Sequence, residues 1–273
     1  MGKTIAILVH EALPRKLLPK YVIYHMAQHW EDDGYKIIWL FGPKTFIPAD
    51  LIFVHVDLSV VPTEYLEFAS RYPRQVNHRA KDIRKSAISR YLLQTDDTYS
   101  GQVIVKTDLN FAGQPERMLS PSLWTRLAGR LRMRISGGQD YQVFSSLEAV
   151  PSKVWRDERY VVERFLPEKC SSGYRVRHFH FLGNRWTCNT MTAREPIVIG
   201  SRAIELEPVK PHPEIVALRH QLGFDYGKFD YCLHKGEPIL FDINKTTGAG
   251  SITPSEQLVT WRRHRAEGIA CFF

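Results

Sequence analysis

Apolar positions in residues 1–75 come in short runs of two kinds. "KTIAILVH" (3–10) is continuous and β-branched, ended by polar residues and Pro14, which predicts a buried strand. "KYVIYHMAQHWEDDGY" follows with helical spacing and stops at Gly34. "KIIWLFG" and "ADLIFVHVD" (49–57) predict a second and a third strand. "PTEYLEFASRYP" predicts a helix opening at Pro62, with Thr63 and Glu64 near its front. The order strand–helix–strand–strand–helix predicts a small parallel α/β layer.

Beyond it the pattern changes. "DIRKSAISRYLLQ" (82–94) predicts a helix, and "GQVIVKTDLNFAGQPE" (101–116) a strand running into a Gly-bearing loop. Residues 117–150 give no clear element; they are rich in Arg, Ser and Gly, and "ISGGQD" predicts a mobile loop. "RYVVERFLPE" (159–168) predicts a strand ended by Pro167. "YRVRHFHFLGNRWTCNTMTA" alternates strongly and predicts an antiparallel hairpin turning at Gly183 and Asn184. "PHPEIVALRHQLG" predicts a helix between Pro213 and Gly223. "KFDYCLHKGEPILFDINKTTG" (228–248) predicts two more strands, hinged at His234, Lys235 and Gly236. A parallel α/β part followed by mixed helices and antiparallel strands suggests a nucleotide-sized cleft between layers.

Composition narrows the partners. The 273 residues are 44% hydrophobic and 24% charged, an ordinary globular balance with room for a sizeable core. The formal net charge is +8, but Lys and Arg are spread over the chain; the nearest thing to a basic run is "WRRHR" (261–265). Nucleic acid is therefore not the expected partner; small anionic ligands such as nucleotides also suit a basic chain. The N-terminal apolar run is too short for a signal peptide, and no run reaches the roughly 18 apolar residues of a spanning helix. A cytoplasmic protein without membrane association is expected. Cys170, Cys188, Cys232 and Cys271 form no CxxC pair, so neither structural zinc nor a disulfide scaffold is expected.

The closing hairpin carries the chemistry. A period of two puts Asp242 and Asn244 on one face of their strand, with Phe241 and Ile243 on the other. A turn near Lys235 and Gly236 can bring Asp230 close to Asp242. Two carboxylates and an amide oxygen aimed at one spot repel unless a cation lies between them, and these hard oxygens suit Mg²⁺ or Mn²⁺. The competing reading is that Asp242 and Asn244 end a strand and cap a turn. Lys106 ends the apolar run "VIVK" before a Gly-containing loop, a placement able to hold phosphates. Lys85, taken alone, reads as a solvated helix face. "VVERFLPE" can offer main-chain groups to an adenine edge and Glu168 to ribose hydroxyls; the plainer alternative is an edge strand with a proline stop.

In order, these features are a phosphate lysine, an adenine hinge about sixty residues on, an Arg-bearing hairpin, then Asp and Asp-x-Asn-x-x-x-Gly. That order resembles the ATP-grasp superfamily of the D-alanine–D-alanine ligase and glutamate-ligase type, over roughly residues 74–250. The resemblance implies a mixed α/β and α+β architecture: a pre-grasp α/β domain over 1–75, a central subdomain with a lid over 76–160, and a C-terminal subdomain with the metal site over 161–273. The two subdomains would clasp ATP. It implies Lys106 on the α- and β-phosphates, Lys85 as the earlier nucleotide lysine, main-chain contacts from Glu163 and Phe165 to adenine, and Glu168 on the ribose. Asp230, Asp242 and Asn244 would bind Mg²⁺ (or Mn²⁺), while Lys228 and either Arg175 or Arg177, which share a face by periodicity, would stabilise the transferred phosphate. The implied reaction is carboxylate–amine ligation through an acyl phosphate, with a small-molecule or peptide acid and an amine as substrates. A phosphotransferase on the same scaffold, or a nucleotide-binding protein without chemistry, are the alternatives.

Three features depart from the resemblance. Asp242 stands where Glu is commoner, the loop "NFAGQPE" is poor in glycine, and the segment 117–151 could replace the usual lid or recognise a partner. Acceptor candidates lie at predicted strand ends in the first layer: His10 and Glu11, His55 and Asp57, and more weakly Asn77 and His78. A homodimer is implied by resemblance, with the tail "IACFF" a candidate for burial against a partner.

Overall fold

The computed structural model describes residues 2–120, 141–250 and 255–273. In chain order the elements are β1 (Thr4–Val9), α1 (Val22–Asp32), β2 (Lys36–Phe41), β3 (Leu51–Val54), α2 (Thr63–Ala69), β4 (Gln75–Val76) and α3 (Lys85–Ile88). Next come β5 (Val103–Thr107), α4 (Gln114–Leu119), β6 (Tyr141–Phe144), α5 (Ser152–Trp155), β7 (Tyr160–Arg164), β8 (Glu168–Cys170), β9 (Gly173–Leu182) and β10 (Arg185–Ala193). The chain closes with β11 (Glu205–Pro208), α6 (Pro213–Gln221), β12 (Tyr226–His234), β13 (Glu237–Asn244) and α7 (Glu256–Ala266). Among the described residues no helix is long and apolar enough to cross a membrane.

Three sheets result. The first is parallel, in the order β2-β1-β3-β4, as the N-terminal pattern predicts. β1 is buried on both faces because α1 covers one and α2 the other; Ile5, Ile7 and Val9 join the α1 side, Ala6 and Leu8 the α2 side. The second sheet is small and antiparallel, β6-β5-β7. The third is β11-β10-β9-β12-β13 with β8 paired to β9. The predicted hairpin β9–β10 turns at Gly183, and β12–β13 turns at Lys235 and Gly236, both with positive φ (53° and 90°), the two-residue geometry that suits right-twisted strands.

The first and third sheets share a core. Tyr226 on β12 packs edge-on against Phe53 on β3 at 5.1 Å, and the Trp30 indole donates to the Ala266 carbonyl at 2.8 Å. The tail also belongs to this core: Ile269 is buried, and Phe273 lies against Tyr35 at 5.5 Å. "IACFF" is thus anchored in part within its own chain, with Cys271 exposed and Phe272 and Phe273 half-buried.

Asn77 is a structural link rather than an acceptor residue. It takes φ +60°, its Oδ1 accepts from the amides of Asp225 and Tyr226, and its Nδ2 donates to the Tyr226 carbonyl. Asn77→Ala should cost about 2–4 kcal/mol through buried groups left unpaired and a Cβ without its local hydrogen bonds in left-handed space. Asn77→Gly, which adopts that backbone freely, should recover about 1 kcal/mol of this. Urea unfolding of the two variants checks the order; Gly no better than Ala would refute it.

The predicted helix over 82–94 is not formed. Only Lys85–Ile88 is helical. Ile83 and Ile88 enter the core under the third sheet, whereas Leu93 enters the core of the second. A chain that must cross between two cores extends instead of coiling. The Leu93 amide accordingly donates to the Val162 carbonyl and the Arg164 amide to the Tyr91 carbonyl, pairing this crossing with β7. Of the segment 117–150, residues 121–140 lie outside the described residues, "ISGG" and Asp140 included; residues 141–144 form β6.

Candidate active site

The second and third sheets face each other across a cavity of about 180 Å³. Its floor is one face of the third sheet: Val176 and His178 from β9, Asp230 and Cys232 from β12, Ile239, Phe241 and Asp242 from β13. Its roof is Ile104 and Lys106 from β5 with the chain from Glu163 to Glu168.

Asp230 and Asp242 are directly opposed in the β12–β13 register. The register then shifts, so that Tyr231 pairs with Leu240 and Phe241 is the extra residue. The bulge corrects the strict alternation expected of this strand. Phe241 joins Asp242 on the cavity side, while Leu240 and Ile243 enter the core beneath.

Each carboxylate at the cavity meets a cation. Asp230 lies 2.6 Å from Lys228 Nζ and 2.7 Å from His178 Nδ1. Burial alone would push the Asp230 carboxyl up, but Lys228 and His178 outweigh it and hold it well below the usual carboxylate range. Half-buried Lys228 is held above its ordinary value by Asp230, against the effect of burial. Asp242 Oδ1 lies 2.8 Å from the Nζ of buried Lys85, an ion pair whose angle makes no hydrogen bond, so this buried oxygen keeps its acceptor capacity. Lys106 donates to Glu163 Oε2 at 2.6 Å and to the Phe241 carbonyl at 3.3 Å.

The other predicted residues divide. Lys85 is buried in the site and is not a solvated helix face. Glu163 enters through its side chain; its neighbour Phe165 lines the cavity, but the Phe165 amide is taken by the Gln102 carbonyl. Glu168 lines the cavity and is clasped by both terminal nitrogens of Arg177, while the Leu233 amide donates to Glu168 Oε2 at 2.6 Å. Arg177 also lies over the Tyr231 ring at 5.8 Å. Arg175 lines the cavity, and its Nε is buried with no partner among the described residues. The two arginines thus do different things, despite their shared periodicity.

Asn244 Oδ1 accepts from the Thr246 amide at 2.8 Å, capping the turn that leaves β13. An amide oxygen has a second lone pair, so the cap leaves a ligand position. Thr246 Oγ1 in turn donates to Asp57 Oδ1 at 2.5 Å, and Tyr21 donates to Asp57 Oδ2 at 2.7 Å. The loop after β13 is therefore tied to the end of β3. Burial pushes the Asp57 carboxyl up against these two hydrogen bonds.

Two residues of this region carried no sequence signal. His178, the second partner of Asp230, sits in an alternating strand where it reads as one more polar position. Lys245 is buried, donates to the Lys81 carbonyl at 3.2 Å, and is pushed down to about 7 by burial, against the pull of Asp82, Asp57 and Glu116. Of the acceptor candidates, His55 is buried edge-on against Tyr21 at 5.2 Å, and burial pushes its imidazole down to about 3. Glu11 is exposed and pairs with Lys44 at 2.6 Å; His10 Nδ1 accepts from the Ala12 amide, and a His78 ring nitrogen lies 3.0 Å from the Leu66 carbonyl.

The donors present fit a divalent ion: two opposed carboxylates with an amide oxygen, one carboxylate oxygen buried without a hydrogen bond. Among the described residues no cluster of three or more His, Cys, Asp or Glu side chains offers a competing centre.

No protein-family model matches this chain, and no curated protein matches it in sequence. Solved structures do match in fold. The D-alanine–D-alanine ligase of Bacillus anthracis complexed with ATP superposes with a TM-score of 0.55 at 11% identity, over 99% of this chain and 96% of that one. A RimK-domain ATP-grasp protein of Sphaerobacter thermophilus gives 0.52 at 10% identity, over 97% and 99%. The macrocyclase MdnC of Microcystis aeruginosa, bound with precursor peptide MdnA, gives 0.51 at 10%, over 97% and 98%. The chain has the ATP-grasp fold, a mixed architecture of one parallel and two antiparallel sheets.

Proposed function

We propose that the protein is an ATP- and Mg²⁺-dependent carboxylate–amine ligase working through an acyl phosphate. The observation that carries this reading is the register that opposes Asp230 to Asp242 beneath Lys106, with Lys85 and Lys228 beside them. Lys106 on the cavity wall, with Lys85 and Lys228 paired to its two opposed aspartates, suits a triphosphate with its divalent ion. The ligase and macrocyclase among the structural neighbours support the reaction class.

Asp230, Asp242 and Asn244 would hold the ion, which neutralises phosphate oxygens and orients the terminal phosphoryl group. Lys106 gives a point charge to the phosphates, kept in place by Glu163. Phe165 and the chain to Glu168 form the wall against which a base packs. Arg175 on the cavity wall, and Lys228 behind Asp230, would offset the charge that grows during transfer. A substrate carboxylate oxygen attacks the terminal phosphorus and ADP leaves. The amine then attacks the acyl carbon, phosphate leaves, and the amine loses a proton. The acid and amine come together on the side of the first sheet, near the loop bound to Asp57.

Calorimetry with a non-hydrolysable ATP analogue tests the nucleotide half. Binding should weaken at least about tenfold when Mg²⁺ is replaced by chelator; equal affinity in both would sink the reading. Hydroxylamine separates the reactions: with the proteinogenic amino acids and short dicarboxylic acids as a panel, a ligase forms a hydroxamate alongside ADP. ADP release with phosphate transferred to a hydroxyl compound would assign a phosphotransferase instead.

A further inference from the structure

The third sheet is crossed by α7, whose residues Arg262 and Arg265 lie three apart on one face and are each 3% exposed. Lys245, which holds only the Lys81 carbonyl, is pushed down to about 7 by burial, and the other cations withdrawn from water are compensated. Lys85 has Asp242, Lys106 has Glu163 and Lys228 has Asp230, while Arg219 places its Nε and Nη2 on main-chain carbonyls. Arg262 and Arg265 have no carboxylate among the described residues. One terminal nitrogen of Arg262 donates to the Ala249 carbonyl, and Arg265 Nε to the Trp261 carbonyl at 3.3 Å. Arg262 Nε and Arg265 Nη1 are buried with no partner among the described residues.

A third buried nitrogen without a partner among the described residues, His180 Nδ1, belongs to a ring on which Arg265 acts. His180 is in register with Lys228, and Arg265 and Lys228 both act on it electrostatically. Arg265 lies near Tyr226, whose hydroxyl shares a hydrogen bond with Thr247, and Arg262 bonds Ala249, both in the loop that Asp57 and Asn244 fix. Outside the described residues, positions 1, 121–140 and 251–254 hold one acid, Asp140. Two guanidinium groups withdrawn from water with open N–H positions demand an anion, and the chain has little to offer.

We propose that Arg262 and Arg265, with His180 beside them, form a buried subsite for an oxyanion of the substrate, a carboxylate that does not react. The phosphates have their own cations, and this pair lies beyond Lys228 on the side of the loop joined to the first sheet. A planar guanidinium matches a carboxylate in two-point contact. The substrate class is thereby narrowed to small acids with a second anionic group: dicarboxylic acids, or amino acids held by one carboxylate while another part reacts. The narrowing rests on the ligase reading, the existence of the subsite does not.

Malonate and inorganic phosphate are the probes, on the full chain, with thermal unfolding and calorimetry as readouts. Malonate should raise the Tm of the wild type, and Arg265→Met or Arg262→Met should weaken it about tenfold or more. Mg-ATP affinity should stay unchanged in both. The ligand-free Arg265→Met protein should melt no lower than the wild type, because an uncompensated buried charge is gone; a lower Tm with malonate binding intact would make the arginines structural and end the proposal. Phosphate binding without malonate binding would overturn the carboxylate assignment, and neither binding would overturn the subsite. If a variant fails to fold, ¹⁵N spectra of the wild-type arginine Nε–H groups decide: two signals must move with malonate, and none moving refutes it. Malonate binding without Mg-ATP binding would remove the ligase reading and leave the subsite standing.

Discussion

Asp230→Asn is expected to abolish ATP turnover and also to destabilise the protein. The carboxylate is buried between Lys228 and His178, at 2.6 and 2.7 Å. Its removal leaves half-buried Lys228 without its counter-ion, which costs about 2–3 kcal/mol, less than for a fully buried pair. Loss of a ligand that positions the phosphates should lower kcat by about 10²–10³-fold or more. Asp242→Asn is the informative comparison. Asp242 is the counter-ion of Lys85, the more deeply buried of the two lysines, so turnover should fall as far and stability by at least as much. Urea melts beside ADP release separate the two effects. An Asp230→Asn protein as stable as wild type would show that the pair is not buried as described; full turnover in either variant would remove the carboxylates from the chemistry.

Lys106→Met and Glu163→Met should each destabilise by about 3–5 kcal/mol, and the double variant by far less than their sum. Lys106 and Glu163 are both buried, 2.6 Å apart, beside Ile104 on the cavity wall. Breaking the pair strands a charge, whereas replacing both leaves thioethers in an apolar wall. Nucleotide binding should nonetheless fail in the double variant, because the phosphate cation is gone. The double-mutant cycle by urea unfolding reads the first half and calorimetry the second. Additive losses would mean that the two groups do not depend on each other, and retained ATP affinity would take Lys106 out of the site.

Much of the fold is legible where one rhythm governs a segment. β1, β3 and the two hairpins announce themselves because a strand with one or two covered faces must alternate or run apolar, and Gly34, Gly183, Gly223 and Gly236 mark where the chain turns. The failures also have causes. Residues 82–94 have helical spacing, yet their apolar side chains serve two different cores, and tertiary demand overrides local pattern. α7 is invisible because its inward face presents Arg262 and Arg265 where a core helix would show leucine.

In the candidate site, identities were readable and pairings were not. Asp230, Asp242, Asn244 and Lys106 can be found from type and position. That Glu163 would meet Lys106, 57 residues away, or His178 meet Asp230, 52 away, is fixed by how the sheets stack, which no local window contains. Arg175 and Arg177 share a parity, but Glu168 at the next strand captures one of them.

The extra residue in β13 makes the length of this strand as much a constraint as its composition. Point changes at Phe241 can be repaired by another bulky side chain, but deleting one position between Leu240 and Asp242 would force a choice between the apolar wall and the acid. Grafts or chimaeras of this hairpin must therefore conserve residue count first and identity second, and an alignment that slides a gap through the strand would assign the acidic role to the wrong position.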